Sequence, residues 1–198
     1  KLLKYSVTDY GAVGDGVTDD TTAINNAITS AAGGIVFFPP GTYVVSVLTC
    51  GTSNLHMMGA GSGASIISGN SAGTRVINIT DNTSNKWKKF EGLRITSSAT
   101  YTKLVDIEET QNISFVDCDF DGTNCNGSLI QRPDVDGQSN IFFDRCKFTA
   151  GESTSRCIDN NSDDAESYFS VKNCYFTATT NYAGIVIDPF RKRTPLWV

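Results

Sequence analysis

Gln111-Asn-Ile-Ser-Phe-Val-Asp-Cys-Asp-Phe120 returns as Ser139-Asn-Ile-Phe-Phe-Asp-Arg-Cys-Lys-Phe148 and again as Ser167-Tyr-Phe-Ser-Val-Lys-Asn-Cys-Tyr-Phe176. Cys118, Cys146 and Cys174 step by 28 residues, and Phe120, Phe148 and Phe176 keep that step. A fixed period of this size means one supersecondary unit laid on the next. Each unit is rich in Phe, Ile, Val and Tyr, alternates over short runs and lacks helical periodicity. The stretch therefore predicts an all-β solenoid of short stacked strands, a parallel β-helix.

A second column confirms the register. Val76, Leu104, Leu129, Cys157 and Ile185 follow one another at 28, 25, 28 and 28 residues. Counting 28 onward also stacks Asp117, Arg145 and Asn173, and beside them Asp119, Lys147 and Tyr175. Asp under Arg and Asp under Lys read as exposed cross-rung ion pairs, which contribute little energy but support the register.

Upstream of the repeats, Thr18-Asp19-Asp20 starts a helix running to about Ala32, with Ala23, Ile24, Ala27, Ile28 and Ala31 on one apolar stripe and Gly33-Gly34 ending it. A stacked sheet needs its open end covered, so this helix is expected to cap the first rung. Residues 1–50 then form the cap and first strands. Residues 51–198 form the rungs of the same single domain, read as an N-terminal portion of something larger.

Bulk composition narrows the function. The chain has 198 residues, 39% hydrophobic content, and 16 basic against 21 acidic residues, a net charge of −5. That length supports one domain with a real core. Lys86–Lys89 and Arg191–Arg193 are short clusters rather than the basic stripe of a nucleic-acid binder, and no apolar run has the length of a membrane span. Cys118, Cys146, Cys174 and Cys157 fall in apolar columns, where a thiol packs as a small core residue. With no CxxC pair and His56 as the single histidine, zinc is not indicated. Gly11-Ala-Val-Gly-Asp-Gly16 and Gly59-Ala-Gly-Ser-Gly63 lack the Lys-Ser/Thr ending of a phosphate loop and read as turns. Asp15, Asp19 and Asp20 read as capping and turn residues, and His56 as structural.

Val7-Thr-Asp-Tyr-Gly-Ala-Val-Gly-Asp-Gly-Val-Thr-Asp-Asp-Thr-Thr-Ala-Ile24 followed by Gly34-Ile-Val-Phe-Phe-Pro-Pro-Gly-Thr-Tyr43 resembles the N-terminal cap of the pectate-lyase-like right-handed β-helix superfamily. That superfamily includes phage tailspikes and appendages, polysaccharide lyases, glycoside hydrolases and mannuronan epimerases. The resemblance implies a right-handed coil, a polysaccharide partner, an extracellular or virion-surface location and homotrimeric assembly. It does not supply a complete catalytic set. Neither the Gly-His-Gly nor the Arg-Ile-Lys of polygalacturonases occurs. In Asp188-Pro-Phe-Arg191, Phe190 and Arg191 stand where the epimerase pattern has His and Glu.

The residues themselves offer one candidate site. Asn78, Asp106, Gln131 and Asp159 form a polar column between apolar neighbours (Ile77 and Ile79, Val105 and Ile107), so it is expected to face outward. Asp106 and Asp159 would lie two rungs apart, on the order of 9–10 Å, near the roughly 6.5–9.5 Å carboxyl separation of inverting glycosidases. They are the candidate catalytic pair, and Gln131 and Arg132 are the candidate substrate-binding residues, Arg132 holding an acidic sugar. No cofactor is called for. Calcium enters only under a lyase reading, with Asp159, Asp163 and Asp164 as oxygen donors. The alternatives are a non-catalytic structural or adhesive β-helix and a secreted pectate-lyase-like enzyme.

Overall fold

Each full coil of the chain lays down three strands, one in each of three parallel sheets. The computed structural model describes residues 3–52, 54–70, 73–80, 86–108, 112–132, 140–151, 156–160, 168–178, 185–187 and 196–197. One coil shows the plan. Asn112–Val116 lies in sheet 1, Asp119–Gly122 in sheet 2 and Cys125–Arg132 in sheet 3. The next coil repeats it with Asn140–Asp144, Lys147–Ala150 and Arg156–Asn160. Pairing follows the 28-residue step, Asn112 against Asn140, Phe120 against Phe148, Gln131 against Asp159. The result is a right-handed parallel β-helix, the hand that parallel crossovers adopt.

The corner between sheets 1 and 2 explains the repeated Asx/Arg-Cys. Gly92, Asp117, Arg145 and Asn173 all have positive φ, between 52° and 62°. The left-handed residue turns the chain sharply, and the following cysteine enters the core. Cys118 and Cys146 are buried and Cys174 half-buried. The Sγ of Cys118 faces the Phe90 carbonyl and that of Cys146 the Phe115 carbonyl, one coil below. The Cys146 N–H in turn points at Cys174 Sγ, 3.4 Å away. The three thiols thus share one interior line, and all six cysteines are free.

Aromatic rings fill the core in two stacks. Phe90, Phe115 and Phe143 lie face to face at 4.9 and 5.0 Å. Phe120, Phe148 and Phe176 do the same at 4.9 and 4.8 Å. Phe115 meets Phe120 edge-on at 5.4 Å, so the two stacks lock together.

The helix spans Thr21–Ser30 and buries Ile24, Ala27 and Ile28. Sheets 1 and 2 begin with Lys4–Ser6 and Asp15–Asp19, whereas sheet 3 begins a coil later with Leu48–Thr49. The helix therefore stands where the first strand of sheet 3 would be. Asn25 Oδ1 accepts the outward N–H of Thr49 at 3.2 Å, closing the sheet edge.

Two expectations need correction. Asp20 precedes the helix but makes no capping bond. Its carboxylate accepts the N–H groups of Val13 and Gly14 at 2.7 and 3.0 Å, and so holds the glycine-rich loop closed. Asp19 accepts the Thr21 N–H, and Asp15 those of Val17 and Thr18. The second correction concerns Ile185. It pairs with Ile158 rather than continuing the column of Cys157, because that coil is one residue shorter.

Candidate functional site

Sheet 3 brings the predicted polar column together. Asn78 pairs with Asp106, Asp106 with Gln131, and Gln131 with Asp159. Alternation along the strands sends Ile77, Ile79, Val105, Ile107 and Ile130 into the core and leaves the polar residues on the other face. Asp106 and Asp159 are thus separated by one strand, carrying Gln131.

The face is more closed than the pattern predicts. Asp106 is only 1% exposed and Asp159 7%. Arg75 Nη1 and Lys103 Nζ donate to Asp106 Oδ2 at 2.7 and 2.9 Å. The same Arg75 nitrogen reaches Asn78 Oδ1 at 2.9 Å and Glu108 Oε1 at 2.5 Å. Arg156 Nη1 and Ser128 Oγ donate to Asp159 Oδ2 at 2.8 and 3.3 Å. Long cationic side chains fold over carboxylates that would otherwise stand desolvated and unpaired between β-branched neighbours. Arg75, Lys103 and Arg156 keep 26%, 17% and 45% of their side chains exposed. The accessible charge on this face is therefore mixed, these cations standing beside Glu108, whose side chain is 36% exposed. Asp106 Oδ1 is buried without a hydrogen-bond partner among the described residues.

Gln131 is half-buried between the two aspartates. Arg132 sits one place further along, in line with the core positions Ile79 and Ile107, and is 2% exposed. A guanidinium at that inward position lies off the outer face of the sheet, where Arg75 and Arg156 are the part-exposed arginines.

A second cluster escaped the sequence reading. On sheet 1, His56 Nε2 lies 3.0 Å from Glu91 Oε2, and Lys89 Nζ donates to the same oxygen at 2.7 Å. Burial lowers the His56 pKa, Lys89 lowers it further, and Glu91 opposes both. Glu91 is held below the usual carboxylate range, chiefly by the Lys89 hydrogen bond. His56 pairs with Lys89 across 33 residues, so counting 28 does not align them. On sheet 2, Arg94, Asp119 and Lys147 stack in register, and Arg94 also bonds Asp121. Burial raises the Asp119 pKa. Burial also pushes on Asp121, but hydrogen bonds from Thr123 and Arg94 outweigh it and hold that pKa low.

The described donors do not suit calcium. Asp159 already accepts from Arg156, and no three His, Cys, Asp or Glu side chains converge among the described residues. Asp163, Asp164 and the Asp188–Arg191 segment lie outside the described residues. The glycine-rich loops act as turns. Ser65 Oγ receives the Ala60 N–H and donates to the Phe38 carbonyl, fixing the 59–63 loop.

Comparison with known proteins places this architecture. Mannuronan C5-epimerase AlgE2 of Azotobacter vinelandii is 46% identical over 76 residues, which cover 33% of this chain and 8% of that protein. ORF18 of Geobacillus virus E2 superposes with a TM-score of 0.58 at 21% identity, covering 92% of this chain and 50% of that one. PfbA, a surface adhesin of Streptococcus pneumoniae, superposes at 0.52 and 17% identity, covering 87% of this chain and 57% of that one. The chain thus spans under a tenth of the epimerase and about half of each solved structure, whose likeness is one of fold. The model of the rhamnogalacturonase A/epimerase, pectate lyase-like family matches residues 5–188, and the chain belongs to that family.

Proposed function

We propose that this chain is a polysaccharide-binding β-helix whose sheet 3 face receives a glycan, as part of a phage tailspike or appendage. The observation that carries the reading is the in-register column Asn78, Asp106, Gln131 and Asp159, flanked by the part-exposed cations Arg75, Lys103 and Arg156. Amides on alternate strands, with cations at Arg75, Lys103 and Arg156 beside them, suit a linear polymer with repeating hydroxyl and acidic groups. The polysaccharide-active names among its relatives, such as mannuronan C5-epimerase, support the substrate class. Homotrimeric assembly and an extracellular or virion-surface location belong to the same proposal.

Cleavage is the sharper form of it. In that form Asp106 and Asp159 act on the glycosidic bond, one protonating the leaving oxygen and the other activating water, while Gln131 and a neighbouring arginine hold the sugar. The test is release of reducing ends, or of unsaturated ends absorbing in the ultraviolet, by the wild type and by Asp106→Asn and Asp159→Asn. Loss of product with an unchanged circular dichroism spectrum and retained glycan binding supports catalysis. Full activity in both variants sinks it.

The alternative is a non-catalytic adhesive or spacer module. The commitment of both carboxylates to cation-donated hydrogen bonds favours it, because such ladders also serve to neutralise a buried polar column. Glycan binding without any product from the wild type selects this reading.

A further inference from the structure

Sheet 1 carries a feature that the sheet 3 reading leaves unused. Phe142 and Tyr168 are 44% and 54% exposed, large apolar side chains on an outward face. Asn140 pairs with Tyr168 and Phe142 with Ser170, so the two rings sit diagonally across adjacent strands. Neither ring stacks on the other among the described contacts, and the core rings Phe143 and Phe169 beneath them meet at a tilt, 5.7 Å apart. Between them lies an open cavity of about 310 Å³ lined by Asn140, Phe142, Tyr168, Phe169, Ser170 and Lys172.

The lining has the mixed chemistry of a sugar site. Aromatic faces take the apolar C–H face of a pyranose, and an amide and a hydroxyl take its equatorial oxygens. Asn140 is held in place by its Nδ2 hydrogen bond to Asn112 Oδ1 at 2.9 Å. The column Trp87, Asn112, Asn140, Tyr168 thus runs along the outer face with an aromatic at each end.

Lys172 decides the class of sugar. Its register partner Asp144 is already engaged, bonding Arg145 through Oδ2 and receiving Asn173 Nδ2 at Oδ1, 3.2 Å away. Lys172 makes no ion pair among the described residues, and it lines the cavity. An ammonium with no ion pair among the described residues, set beside exposed rings, favours an anionic sugar over a neutral one. A flat docking face for another protein would bury on the order of 800 Å² per partner; this concavity has the dimensions of one or two sugar rings.

We propose that the slot between Phe142 and Tyr168 is a second glycan-binding site, on a different sheet from the polar column, and that it takes an acidic sugar residue. It stands on the sheet 1 geometry and does not require the sheet 3 site to be catalytic.

The experiment is calorimetric titration of the 198-residue chain with oligogalacturonate and, in parallel, with a neutral maltooligosaccharide of the same length. The wild type is expected to bind the acidic oligomer more tightly. Tyr168→Ala is expected to weaken that binding roughly tenfold or more. Lys172→Gln is expected to weaken it and to abolish its salt dependence, while the neutral oligomer is unaffected. Asp106→Asn and Asp159→Asn report on sheet 3, and the losses caused by Tyr168→Ala and Lys172→Gln are expected to be the same size in those backgrounds as in the wild type. Unaltered affinity in both Tyr168→Ala and Lys172→Gln, with circular dichroism unchanged, overturns the proposal, as does absence of any binding by the wild type. Binding lost only in the sheet 3 variants also overturns it and leaves the first site standing. If instead the sheet 3 variants keep full product release while Tyr168→Ala loses binding, the cleavage form of the sheet 3 reading fails and this proposal survives. A fall in oligomeric state in Tyr168→Ala, without change in glycan affinity, reassigns the slot to contact between copies and overturns it.

Discussion

Arg145 lies directly above Asp117 and closes on it with two hydrogen bonds, Nε to Oδ1 at 2.7 Å and Nη2 to Oδ2 at 2.9 Å. Both residues hold the left-handed backbone conformation, with φ of 52° and 53°. The same turn, repeated one coil up, has placed two opposite charges in a bidentate fork.

Two separable effects follow from that pair. Arg145→Ala removes the fork but keeps a side chain in the strained region, whereas Arg145→Gly removes the fork and relieves the strain. The glycine variant is expected to melt above the alanine variant. The part of the alanine loss that comes from the fork is expected to shrink in high salt, since the pair is exposed. Thermal melts of both variants at low and high ionic strength check this.

Phe115 sits between Phe90 and Phe143 and against the edge of Phe120. Phe115→Ala is expected to cost ~3–5 kcal/mol, the range for emptying a packed aromatic site. Phe115→Leu should cost less, because most of the volume is kept. Urea unfolding monitored by circular dichroism measures both.

Acid should weaken the fold through the His56–Glu91 contact. A histidine with a lowered folded-state pKa binds fewer protons folded than unfolded, so stability rises with pH. Its full contribution is present above the ordinary imidazole value of 6.5 and is lost as pH falls below it. Glu91, held below its ordinary 4.5, adds a contribution present above that value and lost as pH falls through the folded pKa. His56→Gln should therefore give a flatter melting-temperature profile between about pH 7 and 5. An unchanged profile would show that His56 does not titrate differently on folding.

The thiols should resist modification in the native state. Burial pushes Cys50 up to about 12 and Cys157 up to about 11. Cys146 rises to about 12 through its contact with Cys118. Since the thiolate is the reactive form, iodoacetamide at mildly alkaline pH is expected to label these three only after denaturation. Mass spectrometry with and without denaturant tests it; half-buried Cys174, whose pKa is also raised by its contact with Cys146, separates the effect of burial from that of pKa.

Much of the architecture was legible because a solenoid repeats its own register. Each 28-residue step brings like positions to the same corner, so the Cys118 line, the Phe120 stack and the Asp117–Arg145 pair could be found by counting. The polar column of sheet 3 was found the same way. Counting failed where coil length changes. The His56–Lys89–Glu91 cluster spans a 33-residue step, and Ile185 shifts by one.

The amino-acid order alone therefore determined the coil, its period, its helical cap and which residues share a column, because strand alternation and stacking depend only on spacing. Tertiary structure decided what each column does. It turned Asp20 from a helix cap into the clasp of a loop, put Arg132 in line with the core and drew Arg75, Lys103 and Arg156 over the aspartates. Those outcomes depend on long side chains reaching across coils to satisfy buried charge, a three-dimensional requirement that no linear spacing encodes.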